Sequence, residues 1–237
     1  MATNADFHPY LSDPFDKAVC GNTPTLMAPI RGTLKPPEVG GYRYVAASDG
    51  LHIEARTGAV EARLPKARTR LPYGDVKDGV RLVHGRIPFD LLYCALSQSL
   101  RDNPDEWAGL IVWNGNTARY ELFNPDVVSA SGSHVSYRDT LPDGCERVVD
   151  LHSHSKYDAF FSPDDDQSDG NGVYIAGVIG KCGSFGSQEM VFRMVIYGQF
   201  FPVKLSGSNH RFWFEPARGY EPVLATEVFG DAAGLRR

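Results

Sequence analysis

Residues 147–165 read RVVDLHSHSKYDAFFSPDD, and the two ends of this stretch call for different structures. RVVDLHSH is an apolar, β-branched run that reads as a strand. Alternate side chains of a strand share a face, so His152 and His154 project together. SPDD reads as the start of a helix. Ser162 is the N-cap, and Pro163 takes the first helical position, where a missing N–H costs little. Asp164 and Asp165 sit at the positive end of the helix dipole. Zinc takes imidazole nitrogen and carboxylate oxygen at about 2.0–2.2 Å. We therefore expect His152, His154 and Asp165 to bind one zinc ion. Two histidines and one carboxylate leave a tetrahedral position open, as a catalytic zinc site requires. A water there titrates near about 7 instead of about 15.7.

Upstream, PFDLLYCALSQSL places Leu91, Leu92, Ala95, Leu96 and Leu100 at helical spacing, with Pro88 in the first turn. Asp102-Asn103-Pro104 ends that helix. EWAGLIVWN suits a buried strand, Asn114-Gly115 a tight hairpin turn, and ARYELFN the returning strand. Hydrolysis also needs a base that does not bind the metal. Glu106, at the head of EWAGL and expected beside the histidine strand, is the candidate. Ser162 is the candidate donor to a developing oxyanion. SASGSHVSYRDTLPDG reads as an exposed loop. VYIAGVIG and EMVFRMVIYGQFF read as two further strands, separated by a turn-rich segment. From residue 209 onward no pattern assigns an element.

One helix followed by apolar strands predicts an α/β fold. The sheet is expected to be mixed and curved. It would be flanked by the helix from about residue 88 and by the helix starting at Ser162. Residues 42–63 alternate like strands, with turns at Asp49-Gly50 and Thr57-Gly58, so residues 1–82 are expected to form a separate, small β-rich module. Residues 83–237 then hold the zinc site and a C-terminal extension.

The 237 residues suffice for a sizeable core, and 42% apolar with 22% charged residues is an ordinary globular balance. A net charge of −5 argues against non-specific nucleic-acid binding. Arg63, Lys66, Arg68 and Arg70 are read as a solvated edge. Cys20, Cys94, Cys145 and Cys182 form no CxxC pair, which disfavours a cysteine zinc site and suits a reducing compartment. With no apolar run near the roughly 18–20 residues of a span and no signal-like N-terminus, a cytoplasmic location and no membrane partner are expected. Asp158, Asp164, Asp166 and Asp169 are read as a solvated acidic loop, and Cys182 as an ordinary buried cysteine. Trp107, Trp113 and Trp213 are read as core or interface residues.

Glu106, His152-Ser153-His154, Ser162 and Asp165 together resemble the JAMM motif of JAB/MPN-domain zinc metalloproteases, with no gap in the spacing. The order of elements over about residues 84–205 resembles that domain as well. Many members carry Pro after the second histidine where this chain has Ser155, which points to a bacterial branch. The run AFFSPDDDQSD resembles the PRTRC system protein A family of bacterial mobile-element cassettes. The resemblance implies a JAB/MPN-like mixed sheet with helices, and Zn2+ held by His152, His154 and Asp165. It also implies Glu106 as acid/base and Ser162 as oxyanion donor. The implied function is an isopeptidase that cuts after the C-terminal tail of a ubiquitin-like protein, with the adenylating enzyme of that protein as a further partner. A non-catalytic scaffold in a plasmid-maintenance complex and a zinc hydrolase of small peptides are the alternatives.

Overall fold

The structure is a computed structural model that describes residues 23, 25–138 and 140–229. Cys20 and most of the expected N-terminal arm lie outside the described residues. The first five strands are β1 (Thr25–Met27), β2 (Tyr42–Ala47), β3 (Gly50–Arg56), β4 (Val60–Arg68) and β5 (Gly79–Leu82). Then come β6 (Ile87–Pro88), α1 (Phe89–Asp102), β7 (Ala108–Asn114), β8 (Arg119–Phe123), β9 (Val127–Ser131) and β10 (His134–Tyr137). The histidine strand is β11 (Cys145–Ser153), followed by α2 (Pro163–Ser168), β12 (Val173–Gly180), β13 (Glu189–Ile196) and β14 (Gln199–Ser208). β15 (Arg211–Pro216), β16 (Val223–Leu224) and α3 (Ala225–Phe229) complete the described chain.

β1 to β5 form one sheet in sequence order. A second, nine-stranded sheet runs β6-β15-β14-β13-β12-β11-β7-β8, with β16 added to β13. β11 sits inside it, parallel to β12 and antiparallel to β7, so the sheet is mixed. β12 and β13 are buried along their whole length, which explains their near-continuous apolar sequence.

The two faces of this sheet differ in chemistry. Val149 and Leu151 of β11 enter the main core with Ile175, Met194 and Phe214, and Leu92, Ala95 and Leu96 of α1 join them. Asp150 and His152 alternate onto the opposite face. Pairing with β7 shifts register between Arg147 and Val149. Val148 and Val149 thereby both enter the core, and Arg147 joins Asp150 on the opposite face. That face carries smaller apolar groups, Ala159, Val178 and Val191 in one and Tyr174, Ala176 and Val195 in another. The loop from 155 to 161, α2 and the β9–β10 hairpin lie over it.

Several expectations need correction. The molecule is mixed α/β but strand-rich: α1 spans 14 residues, whereas α2 has six and α3 five, so helices cover little of the sheet. Pro88 stands before the helix as its extended N-cap. The turn after β7 closes with Asn114 opposite Arg119, so four residues intervene instead of two. Asn114 Oδ1 accepts from the N–H groups of Asn116 and Thr117, and Ala118 takes the left-handed conformation. The polar stretch taken for a loop forms the β9–β10 hairpin. The chain beyond residue 209 adds β15 and β16 to the large sheet. Residues 25–82 do have their own sheet, yet Ile53, Val60 and Leu64 belong to the same apolar cluster as Ile111 and Phe212. Residue 82 thus marks a change of sheet within continuous packing. In the basic run, Arg63 pairs with Glu54 and Arg68 with Asp49 and Asp78, while Lys66, Arg68 and Arg70 are exposed, as a solvated edge should be. No helix among the described residues is long and apolar enough to cross a membrane.

Gly180 fixes where the loop after β11 crosses the sheet. A Cβ there would lie 2.2 Å from Ala159 N and 2.7 Å from Tyr157 O. Lys181 N–H donates to Tyr157 O at 2.7 Å, closing the same contact. Gly180→Ala must push that backbone off the sheet and should cost about 1–3 kcal/mol, as overpacking does. Urea unfolding measures it, and an unchanged midpoint would show that the loop is not seated there.

Candidate metal centre

His152 belongs to β11, and His154 follows directly after it with its N–H still bonded to Ile179 O at 2.8 Å. The strand geometry therefore extends one residue past the strand and brings both imidazoles to one face. Phe160 packs edge-on against His154, with ring centroids 4.7 Å apart. The third donor arrives with α2. Ser162 Oγ accepts from Asp165 N at 3.2 Å, and Asp165 Oδ2 accepts from Ser162 N at 2.6 Å, a reciprocal capping box. This box uses Oδ2 and leaves Oδ1 turned toward His152.

The three donor groups lie within 4.8 Å of one another. His152 Nε2 is 3.1 Å from His154 Nε2 and 3.1 Å from Asp165 Oδ1, and His154 Nε2 is 3.6 Å from Asp165 Oδ2. A tetrahedron with arms of about 2.05 Å has edges of about 3.3 Å. The two imidazole nitrogens stand near that value, but their contacts to Asp165 use different oxygens, so the three residues form a group of a size that could hold one metal ion, reached by small side-chain adjustments.

Burial disfavours a charged His152, but the hydrogen bond and charge of Asp165, helped by Asp150 and Glu106, outweigh it and raise its pKa. Burial also acts against the Asp165 carboxylate. Its bonds to His152 and His154 prevail and hold it far below the usual carboxylate range. Without a metal, the Asp165 carboxylate thus lies ionised against the two imidazoles; a metal ion would bind them neutral and displace the proton.

Glu106 precedes β7 by two residues. Trp107 N–H donates to Ser153 Oγ at 2.8 Å, and Ser153 N–H to Trp107 O at 2.8 Å, so pairing with the histidine strand continues past β7. Since Ala108 stands opposite His152, this continuation sets Glu106 opposite His154. Glu106 is 7% exposed and lines the same cleft as both histidines. Burial raises its pKa, opposed by the nearby charges of His154 and His152. All five residues singled out in the sequence thus meet around one cleft of about 270 Å³. Ser162 departs from expectation in one respect. Its hydroxyl donates to Asp165 Oδ2 at 2.8 Å, so in this structure its proton is directed at the carboxylate.

The sequence reading missed the residues that support this centre. Arg193 is 1% exposed in the middle of a largely apolar strand, with Phe161 and Phe200 rings 4.0 and 3.9 Å from its guanidinium. It binds Asp169 at 2.7 Å and also pairs with Asp166, clamping α2 to the sheet. Asp158 pairs with Lys181. Asp158, Asp164 and Asp166 are exposed, as a solvated acidic loop should be, while Asp169 and Asp166 also meet Arg193 and tie α2 to the sheet. A lone arginine inside EMVFRMVI, downstream of DDDQSD, was the available signal, because a buried charge demands a partner. Asp150, Tyr137, Arg147, Tyr174 and His134 also line the cleft and were not singled out. Cys182 is fully buried, and burial pushes its thiol pKa up, as suits an inert cysteine.

Comparison with known proteins adds two family matches. Residues 91–197 match the model described as prokaryotic homologs of the JAB domain, and residues 13–83 match a domain of unknown function, DUF2016. No curated protein matches. Among solved structures, the solution structure of protein DSY2949 from Desulfitobacterium hafniense is similar at 13% identity and a TM-score of 0.40. That similarity covers 49% of this chain and 87% of that one. The first match supports the JAB/MPN family for the segment that contains the whole site.

Two outcomes test this centre. Elemental analysis should find one zinc per chain, most of it lost in each of His152→Ala, His154→Ala and Asp165→Ala; full retention in all three would move the site elsewhere. Arg193→Met leaves the partly exposed Asp169 without its counter-charge, while the half-exposed Asp166 turns to water, and should cost about 1–3 kcal/mol. The same variant should bind zinc more weakly, whereas wild-type affinity would show that α2 holds Asp165 without the clamp.

Proposed function

We propose that this protein is a JAMM-type zinc peptidase that cleaves after the C-terminal tail of a ubiquitin-like protein. The observation that supports it best is the convergence of His152, His154 and Asp165 into one group that could hold a metal ion, with a buried carboxylate, Glu106, lining the same cleft. When bound, zinc supplies a Lewis acid that polarises a carbonyl and acidifies water. Glu106 performs the proton transfers. Its carboxylate takes a proton from the attacking water as the new C–O bond forms, and returns it to the leaving amine as the C–N bond breaks. Burial raises the pKa of this carboxylate, against the charges of His154 and His152, which is the direction a proton carrier needs. Ser162 stabilises the oxyanion once its hydroxyl turns from Asp165 toward the cleft.

The hairpin supports an extended substrate. Ser133, His134, Val135, Ser136 and Tyr137 all line the cleft. β10 pairs only with β9 among the described residues, so its outer edge is open to an added strand. A flexible tail laid along it gains main-chain hydrogen bonds whatever its side chains, and the body of the partner then sets specificity. A ubiquitin-like protein with an extended tail suits such a groove, and its adenylating enzyme is the natural second partner.

Incubation with a ubiquitin-like protein carrying a C-terminal extension should release that extension, located by mass spectrometry. Glu106→Gln should keep zinc and lose turnover by about 100-fold or more, the usual weight of a general acid–base group. An intact fusion beside ordinary turnover of unrelated short peptides would establish the small-peptide hydrolase instead. Failure on both, with binding to the ubiquitin-like protein or its activating enzyme retained, would establish the scaffold.

A further inference from the structure

The β9–β10 hairpin is a two-stranded element, and such a pair is marginally stable by itself in water. Its strand β9 is exposed throughout, with Val127 and Val128 50% and 66% exposed, so apolar packing contributes little to its placement. Specific polar contacts hold it instead. Glu106 N–H donates to Ser131 O at 2.8 Å near the tip, and Arg138 N–H donates to Asp126 O at 3.0 Å across the base. The third contact is of another kind. Tyr137 Oη donates to Asp150 Oδ1 at 2.6 Å. Asp150 is buried, two residues before His152 on the same strand face, and its other oxygen is 3.1 Å from Arg147 Nη1. A short bond to a charged acceptor in a buried setting is among the stronger single contacts a side chain makes.

This contact joins the substrate wall directly to the metal strand. The register of β10 against β9 shifts between Ser136 and Tyr137, so Val128 is the extra residue and Tyr137 stays paired with Val127. From that paired position the tyrosine reaches across the cleft to Asp150 of β11. We propose that Tyr137 is a positioning residue: its bond to Asp150 fixes how far the open edge of β10 stands from His152 and His154. The inference rests on the peptidase reading above, because it concerns where a substrate strand lies. The phenol touches no reacting atom. Its part is to hold the strand that does the binding, so its loss acts on substrate capture more than on the chemical step.

Tyr137→Phe removes the hydroxyl and keeps the ring. KM for the ubiquitin-like fusion should rise about tenfold, the weight of one hydrogen bond to a charged group, with kcat within about twofold. Zinc content should not change. Hydrogen exchange provides the arm that does not depend on activity. Amides of residues 129–137 should exchange about tenfold faster in Tyr137→Phe, with β11 and β12 protected as in wild type. An unchanged KM, or equal exchange in both proteins, would overturn the proposal. Loss of zinc in Tyr137→Phe would overturn it too, since the pair would then serve the metal. If wild type leaves the fusion intact, the peptidase reading fails, and the exchange comparison still decides whether Tyr137 fixes the hairpin.

Discussion

One carboxylate, Asp165, closes the first turn of α2 and also faces two imidazoles from another element. Its Oδ2 accepts from the N–H and the hydroxyl of Ser162, while Oδ1 stands 3.1 Å from His152. Such division of labour works only if the six-residue helix cannot drift. A helix that short has little stability of its own. The sheet provides it: Arg193 binds the acids at the C-terminal end of α2, and Gly180 lets the incoming loop rest on β12. The precision of the centre is thus borrowed from the buried interior of β12 and β13, elements that contribute no ligand.

The two faces of the large sheet explain how this is tolerated. The core face buries Leu151, Ile175, Met194 and Phe214 with α1 and the strands of the N-terminal sheet. That burial provides the bulk of the stability, at roughly 25 cal/mol per Å² of apolar surface. The other face carries Arg147, Asp150, His152 and Arg193, each of which opposes burial unless partnered. A bulge at Val148 lets one strand satisfy both demands. It keeps consecutive valines in the core and moves Arg147 beside Asp150.

How much of this was legible follows from the range of each signal. His152, His154, Ser162 and Asp165 lie within fourteen residues, and strand alternation plus helix capping are local rules, so their convergence could be read directly. Glu106 needed one non-local assumption, that its strand lies beside β11, and the pairing of Ala108 with His152 supplies it. The hairpin was hidden because β9 is exposed throughout and β10 is at most half-buried, so VVSAS and HVSY show no alternation to detect. The shared core was hidden for the opposite reason. Ile53 and Leu64 alternate properly for their own sheet, and alternation does not say what the apolar face meets. Arg193 was visible as a residue, but its partners follow 24 and 27 positions earlier, a pairing only the fold reveals.

The surrounding acids sharpen the assignment of roles. Asp166 and Asp169 are committed to Arg193, Asp158 to Lys181, and Asp165 to the imidazoles. Two buried carboxylates then remain along the cleft, Asp150 and Glu106. Both have their pKa raised by burial, so titration alone does not separate them. Their bonding does. Asp150 is tied on one oxygen by Tyr137 and on the other by Arg147, and a carboxylate so engaged is fixed in place and poorly suited to exchanging protons. Glu106 stands opposite His154, anchored through its own backbone and that of Trp107. Anchoring the main chain while leaving the carboxylate turned to the histidines is what a proton-transfer group beside a metal requires. The bonding therefore separates the two carboxylates: Asp150 is engaged on both oxygens, and Glu106 is the one whose surroundings suit the proposed proton transfer.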